Sequence, residues 1–89
     1  MTRRETLERA LKCVCEDRQD QYGTPENNFG RIAKLWTAYL EYDLTSVDVS
    51  MMMALLKIAR ISTGTATEDS FVDLAGYAAC GAELEKGDI

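Results

Sequence analysis

Residues 47–61 constrain this chain more than any other segment. From Val47 to Ile61 the only charged or strongly polar side chains are Asp48, Ser50, Lys57 and Arg60. A helix made of this stretch has no polar face to turn toward water, and it is stable only when other elements cover it. The segment therefore predicts a central, buried helix.

The flanking sequence supplies helices to cover it. Thr2 and Glu5 match a capping box, after which Leu7, Ala10, Leu11 and Val14 recur at helical spacing. That stripe runs to Arg18 and ends at Gly23. Thr24-Pro25 opens a second helix, with Phe29, Ile32, Leu35, Trp36, Tyr39 and Leu40 on its apolar face. Asp43 to Ser46 reads as a turn, and Thr45 with Asp48 as a further cap. Gly64 closes the apolar helix, and Thr65 to Thr67 form a polar loop. A last helix runs from Thr67 through Phe71, Leu74, Ala75, Ala78 and Ala82 to about Glu85. No strand-like alternation and no repeat occurs. The expectation is one all-α domain over 1–89, a compact up-and-down antiparallel bundle of four helices.

At 89 residues such a domain buries only about 60–65% of its unfolded surface. The apolar excess of residues 29–61 then predicts a homo-oligomer. Met51, Met52 and Met53 cannot share one side of a helix; they are expected to fill core gaps or an oligomer contact. Trp36, Tyr39 and Tyr42 are read the same way.

Charge and composition remove several classes of function. Ten Lys and Arg against fifteen Asp and Glu give a net charge of −5, which argues against a coat for duplex nucleic acid or an anionic membrane. The chain has no His, so Ser-His-Asp and Cys-His catalysis and His-ligated zinc are excluded. No run approaches the roughly 20 apolar residues of a membrane span, and the N-terminal sequence lacks a signal-peptide core; a cytoplasmic location is expected. Cys13, Cys15 and Cys80 are odd in number and wrongly spaced for a zinc knuckle or a redox pair. They are expected as reduced structural thiols, with Cys15 exposed.

Misplaced polar residues carry the functional signal. Lys57 and Arg60 lie three apart on the most apolar helix, and a cation taken into a core needs an anion. The chain offers Asp69 and Asp73, four apart with Tyr77 one turn further on, and also Glu16, Asp17 and Asp20. Either these carboxylates close an internal salt-bridge cluster, or Lys57 and Arg60 hold a bound phosphate. The stretch from Asp17 to Phe29 concentrates acids, amides and aromatics at a helix corner. There Arg18, Tyr22 and Asn28 could contact a base and sugar, or the same residues could simply cap and solvate the turn.

The series Asp17-Arg18, Tyr22-Gly23, Asn28-Phe29, Leu35-Trp36, Lys57-Ile58-Ala59-Arg60 and Asp73-Leu74-Ala75-Gly76-Tyr77-Ala78 resembles a family of small phage and prophage all-α domains of unknown function. More distantly, the Tyr-Gly corner, the Lys-x-x-Arg helix and the Asp-led last helix are similar to MazG-like nucleoside triphosphate pyrophosphohydrolases. That resemblance implies a nucleotide-binding protein with pyrophosphohydrolase activity, in which acidic pairs on neighbouring helices bind Mg²⁺. Glu5 and Glu8 have the first spacing but double as a helix start, and Phe29 to Leu40 carries no acidic pair. Asp69 and Asp73 are the nearest metal ligands.

Two functional expectations follow. In the first, Lys57 and Arg60 hold the phosphates of a nucleotide, Asp69 and Asp73 hold Mg²⁺ or orient the cations, and Arg18, Tyr22, Asn28 and Tyr77 contact sugar or base. In the second, a non-catalytic phage accessory protein occupies and inhibits a host defence protein through its acidic surface. Both act in the host-cell cytoplasm if the chain is phage-encoded.

Overall fold

Capping chemistry decides where the helices begin. In a computed structural model, which describes residues 1–64 and 67–87 with the side chains of Arg18 and Gln19 excepted, Thr2 Oγ1 accepts from the backbone N–H of Glu5 at 3.1 Å. Glu5 Oε1 accepts from the Thr2 N–H at 3.4 Å. This box opens α1 (Arg3–Lys12). The hydrogen bonds from Thr2, its side chain first, also hold the Glu5 carboxyl below its ordinary range. The helix does not run on regularly. A five-residue π-turn, Cys13–Asp17, joins α1 to a short α2 (Arg18–Tyr22), so the first rod is continuous from Arg3 to Tyr22 with its register shifted midway.

Gly23, at φ +83°, reverses the chain, and Thr24 caps α3 (Pro25–Leu40) by accepting from the Asn27 N–H at 3.3 Å. Glu41 ends α3 in the left-handed region at φ 55°. The Leu44 N–H donates to Thr37 Oγ1 at 2.9 Å, which ties the turn back to the helix. Thr45 and Asp48 form a second full capping box at the start of α4 (Ser46–Ser62). After Gly64, at φ +78°, the expected Thr65–Thr67 loop lies mostly outside the described residues. The last helix is α5 (Glu68–Gly87). All described elements are helical, as the sequence predicts.

The most extensive packing is α4 along α5; α1 also packs on α5, and α3 packs on α4. The core is Phe29 and Ala33 from α3, Val49 from α4, and Cys80 and Leu84 from α5, with Val14, Trp36 and Tyr77 partly buried against it. Small residues on α5 set these distances. A Cβ on Gly76 would stand 2.8 Å from Val14 Cγ1, and one on Gly81 would meet Met51 Cε at 2.8 Å and Ser50 Oγ at 3.3 Å. Ser50 is fully buried, and its hydroxyl donates to the Tyr77 carbonyl. That bond satisfies a hydroxyl whose burial would otherwise cost free energy.

One expectation needs correction. α4 is not covered all round. Val49, Ser50, Met53, Ala54, Lys57 and Ile61 turn inward, while Met51, Met52, Leu55, Leu56 and Ile58 are exposed, Leu55 by 62%. Two neighbouring helices of one chain can shield only about half of a helix's circumference. Among the described residues no disulfide links the cysteines; Cys80 is buried, and Cys15 is exposed as expected.

Two consequences are measurable. Gly76→Ala gains helix propensity, by about 1 kcal/mol, yet drives a methyl into the stiff Val14 side chain; a net loss of about 1–2 kcal/mol in urea denaturation is expected, and Val14→Ala should relieve it. Because the Glu5 carboxyl is held low, its cap contributes fully above the ordinary carboxylate range and is lost as the pH falls through the lowered one. The protection factors of the Thr2 and Glu5 amides, taken relative to their intrinsic exchange rates at each pH, are therefore expected to fall on acidification in the wild type and to lose that acid dependence in Glu5→Gln.

Candidate functional site

The π-turn, the α2–α3 corner and α5 meet around a cleft. The π-turn brings Cys13 and Val14 to its wall, and the absence of a side chain at Gly76 lets Val14 approach α5 closely. The reversal at Gly23 brings Tyr22 from α2 and Asn28 and Phe29 from α3 to the same cleft. From α5, Asp73 and Tyr77 project one helical turn apart into the same space. The rings of Phe29 and Tyr77 pack with centroids 6.1 Å apart and planes inclined by 37°. The wall is thus apolar and aromatic, with a carboxylate, an amide and two phenol groups set into it. The closed part of the cleft, about 40 Å³, has room for about three water molecules, and it opens outward past Tyr22, which is half exposed.

Asp73 is held in place from behind. Lys57 Nζ lies 3.0 Å from Asp73 Oδ2, with the two side chains 19% and 28% exposed. Lys57 reaches the carboxylate from α4 and does not itself line the cleft. A second, shallower groove shares Cys13, Val72 and Asp73 with the cleft and continues past Arg9, Lys12 and Asp17. Within it Arg9 bridges to Asp69 at 2.6 Å and to Glu68 at 3.4 Å. Lys12 is exposed and has no carboxylate within 4.0 Å among the described residues.

Four of the expected site residues therefore converge: Tyr22, Asn28, Asp73 and Tyr77 share one cleft, with Lys57 one ion pair away. The others do not join them. Arg60 is exposed on α4 and is not among the residues lining the cleft, because three residues along a helix carry it about 60° round from Lys57. The side chain of Arg18 lies outside the described residues. Asp69 and Asp73, expected together as metal ligands, are drawn to different cations, Arg9 and Lys57. Among the described residues no group of three His, Cys, Asp or Glu side chains is placed to hold a metal ion. Cys13 and Val14, which line the cleft, and Lys12, which lines the adjoining groove, were not legible as site residues. The π-turn brings Cys13 and Val14 to the wall, and no local sequence rule marks such a turn.

Residues 5–85 match the family model described as domain of unknown function DUF6378. The chain belongs to the DUF6378 family. It is 43% identical over 74 residues to the Gene 55 protein of Mycobacterium phage D29, covering 83% of this chain and 49% of that protein. It is 42% identical over 73 residues to the Gene 55 protein of Mycobacterium phage L5, covering 81% of this chain and 47% of that one. The chain spans about half the length of these phage relatives. No solved structure matches it. The DUF6378 match takes in the whole cleft, from Cys13 to Cys80. Among the described residues no helix is long and apolar enough to cross a membrane.

In this DUF6378 domain the Lys57–Asp73 pair lies between the surface and buried regimes, so its coupling should be about 1–2 kcal/mol. A double-mutant cycle of Lys57→Met and Asp73→Asn, read by urea unfolding, is expected to return that value and to change little when salt is raised to 1 M. A coupling that vanishes in salt would show a surface pair.

Proposed function

We propose that the cleft binds the ring of a nucleotide-like small molecule. The observation that carries this reading is the convergence of Tyr22, Asn28, Asp73 and Tyr77, from three separate elements, on one aromatic-walled opening. A planar ring entering by its edge would meet apolar walls on its faces. Its N–H donors would face the Asp73 carboxylate, and its carbonyl or ring nitrogen the Asn28 amide. The small closed volume leaves the rest of the ligand outside, where the adjoining groove offers Lys12 to a phosphate. Lys57 acts in this scheme by orienting Asp73, a change from its expected role as a phosphate ligand, because its ammonium is already paired. The proposal concerns binding; the Mg²⁺-dependent hydrolysis that the pyrophosphohydrolase resemblance adds is not part of it. As a relative of phage proteins, the chain would act inside the host cell.

The test is thermal unfolding with a panel of nucleosides and nucleotides, with and without Mg²⁺. A ligand at about 100 times its Kd stabilises the native state by about 2.7 kcal/mol, which for a domain of this size raises Tm by roughly 10–20 °C. Asp73→Asn and Tyr77→Phe are expected to remove most of the shift while the helical signal persists. No shift with any member of the panel would overturn the reading and leave the acidic accessory protein, whose partner is a host protein, as the surviving one.

A further inference from the structure

A folded monomer of 9.9 kDa exposes about 5,200 Å², whereas this chain exposes 6408 Å². Its radius of gyration, 13.4 Å, likewise exceeds the ~12 Å expected for its length. The surplus surface is not spread evenly. Nine of the fourteen exposed large hydrophobic residues lie between Leu35 and Ile58, and those on α4 form one continuous arc along the helix, comprising Met51, Met52, Leu55, Leu56 and Ile58. Asp48 near one end and Ser62 near the other are the polar residues on that arc.

We propose that a second copy of this chain covers the outer face of α4. The area is of the right order: the whole chain's surplus of about 1,200 Å², with five of the fourteen exposed large hydrophobic residues on the α4 arc, compares with the roughly 800 Å² that each partner contributes to a stable interface of standard size. The charge is compatible: the protomer carries −5 overall, and on the α4 arc, where Asp48 is the one charged residue, close contact adds little of the like-charge repulsion that the rest of the surface would bring. A two-fold axis beside Leu55 sets the two α4 helices antiparallel, which opposes their dipoles and brings the Asp48 end of each beside the Arg60 end of the other. The contact buries the flank that the single chain's own helices leave open. The nucleotide-like cleft, formed by α2, α3, α5 and the π-turn, stays outside it.

Sedimentation equilibrium of the full chain at micromolar concentration tests this. The expected mass is twice 9.9 kDa. Leu55→Glu and, separately, Ile58→Glu should halve it with the helical circular-dichroism signal intact, because both side chains are already exposed in the single chain. Leu7→Glu, on the apolar patch of α1, should leave the dimer unchanged. A wild-type chain that stays at one protomer's mass overturns the proposal and assigns the face to another occupant, such as chain beyond this span in the longer relatives. Dimers that persist in both α4 variants also overturn it, by placing the contact elsewhere.

Discussion

The close approach of α5 to its neighbours is the constraint on which the remaining structure rests. Gly76 lets the π-turn lie against α5 through Val14, and Gly81 lets α4 do so through Ser50 and Met51. With side chains at both positions the helices would stand further apart, and the Ser50 hydroxyl would lose the Tyr77 carbonyl it serves. Tyr77 and Asp73 are aimed by that contact, so the geometry of the cleft is a consequence of two missing side chains.

The same packing decides what becomes of the charges. Lys57 sits on the inward half of α4, where α5 presents Asp73 at 3.0 Å. An unpaired ammonium there would carry a desolvation cost of several kcal/mol, and the pair removes it. Arg60 escapes that cost by lying toward the exposed side. Two cations that look equivalent in sequence thus have different surroundings: one fixes a carboxylate at the mouth of the cleft, and the other stays at the surface.

α4 carries an apolar signal that its own chain answers only in part. Its apolar circumference predicts burial on all sides, yet α3 and α5 cover only one half. Periodicity reports which faces need covering without reporting who covers them. The exposed arc from Met51 to Ile58 is the face that the proposed second copy would cover; Met51 also reaches α5 beside Gly81, whereas Leu55, Leu56 and Ile58 are exposed in the single chain.

Local rules read most of the secondary structure, since capping is a matter of neighbours three residues apart: Thr2 with Glu5, Thr24 before Pro25, and Thr45 with Asp48 begin helices where the sequence says they should. The sequence by itself also determined that the chain is helical and that Lys57 needs an anion, and it singled out Tyr22 and Asn28 at one helix corner and Asp73 and Tyr77 on the last helix without joining them. Only the tertiary structure decided that Asp73 and not Asp69 is the partner of Lys57, that Arg60 stands apart, and that Cys13 and Val14 wall the cleft. Those outcomes depend on rotations of whole helices about one another, set by the π-turn and by the glycines of α5, and such rotations arise from contacts between residues far apart in the chain.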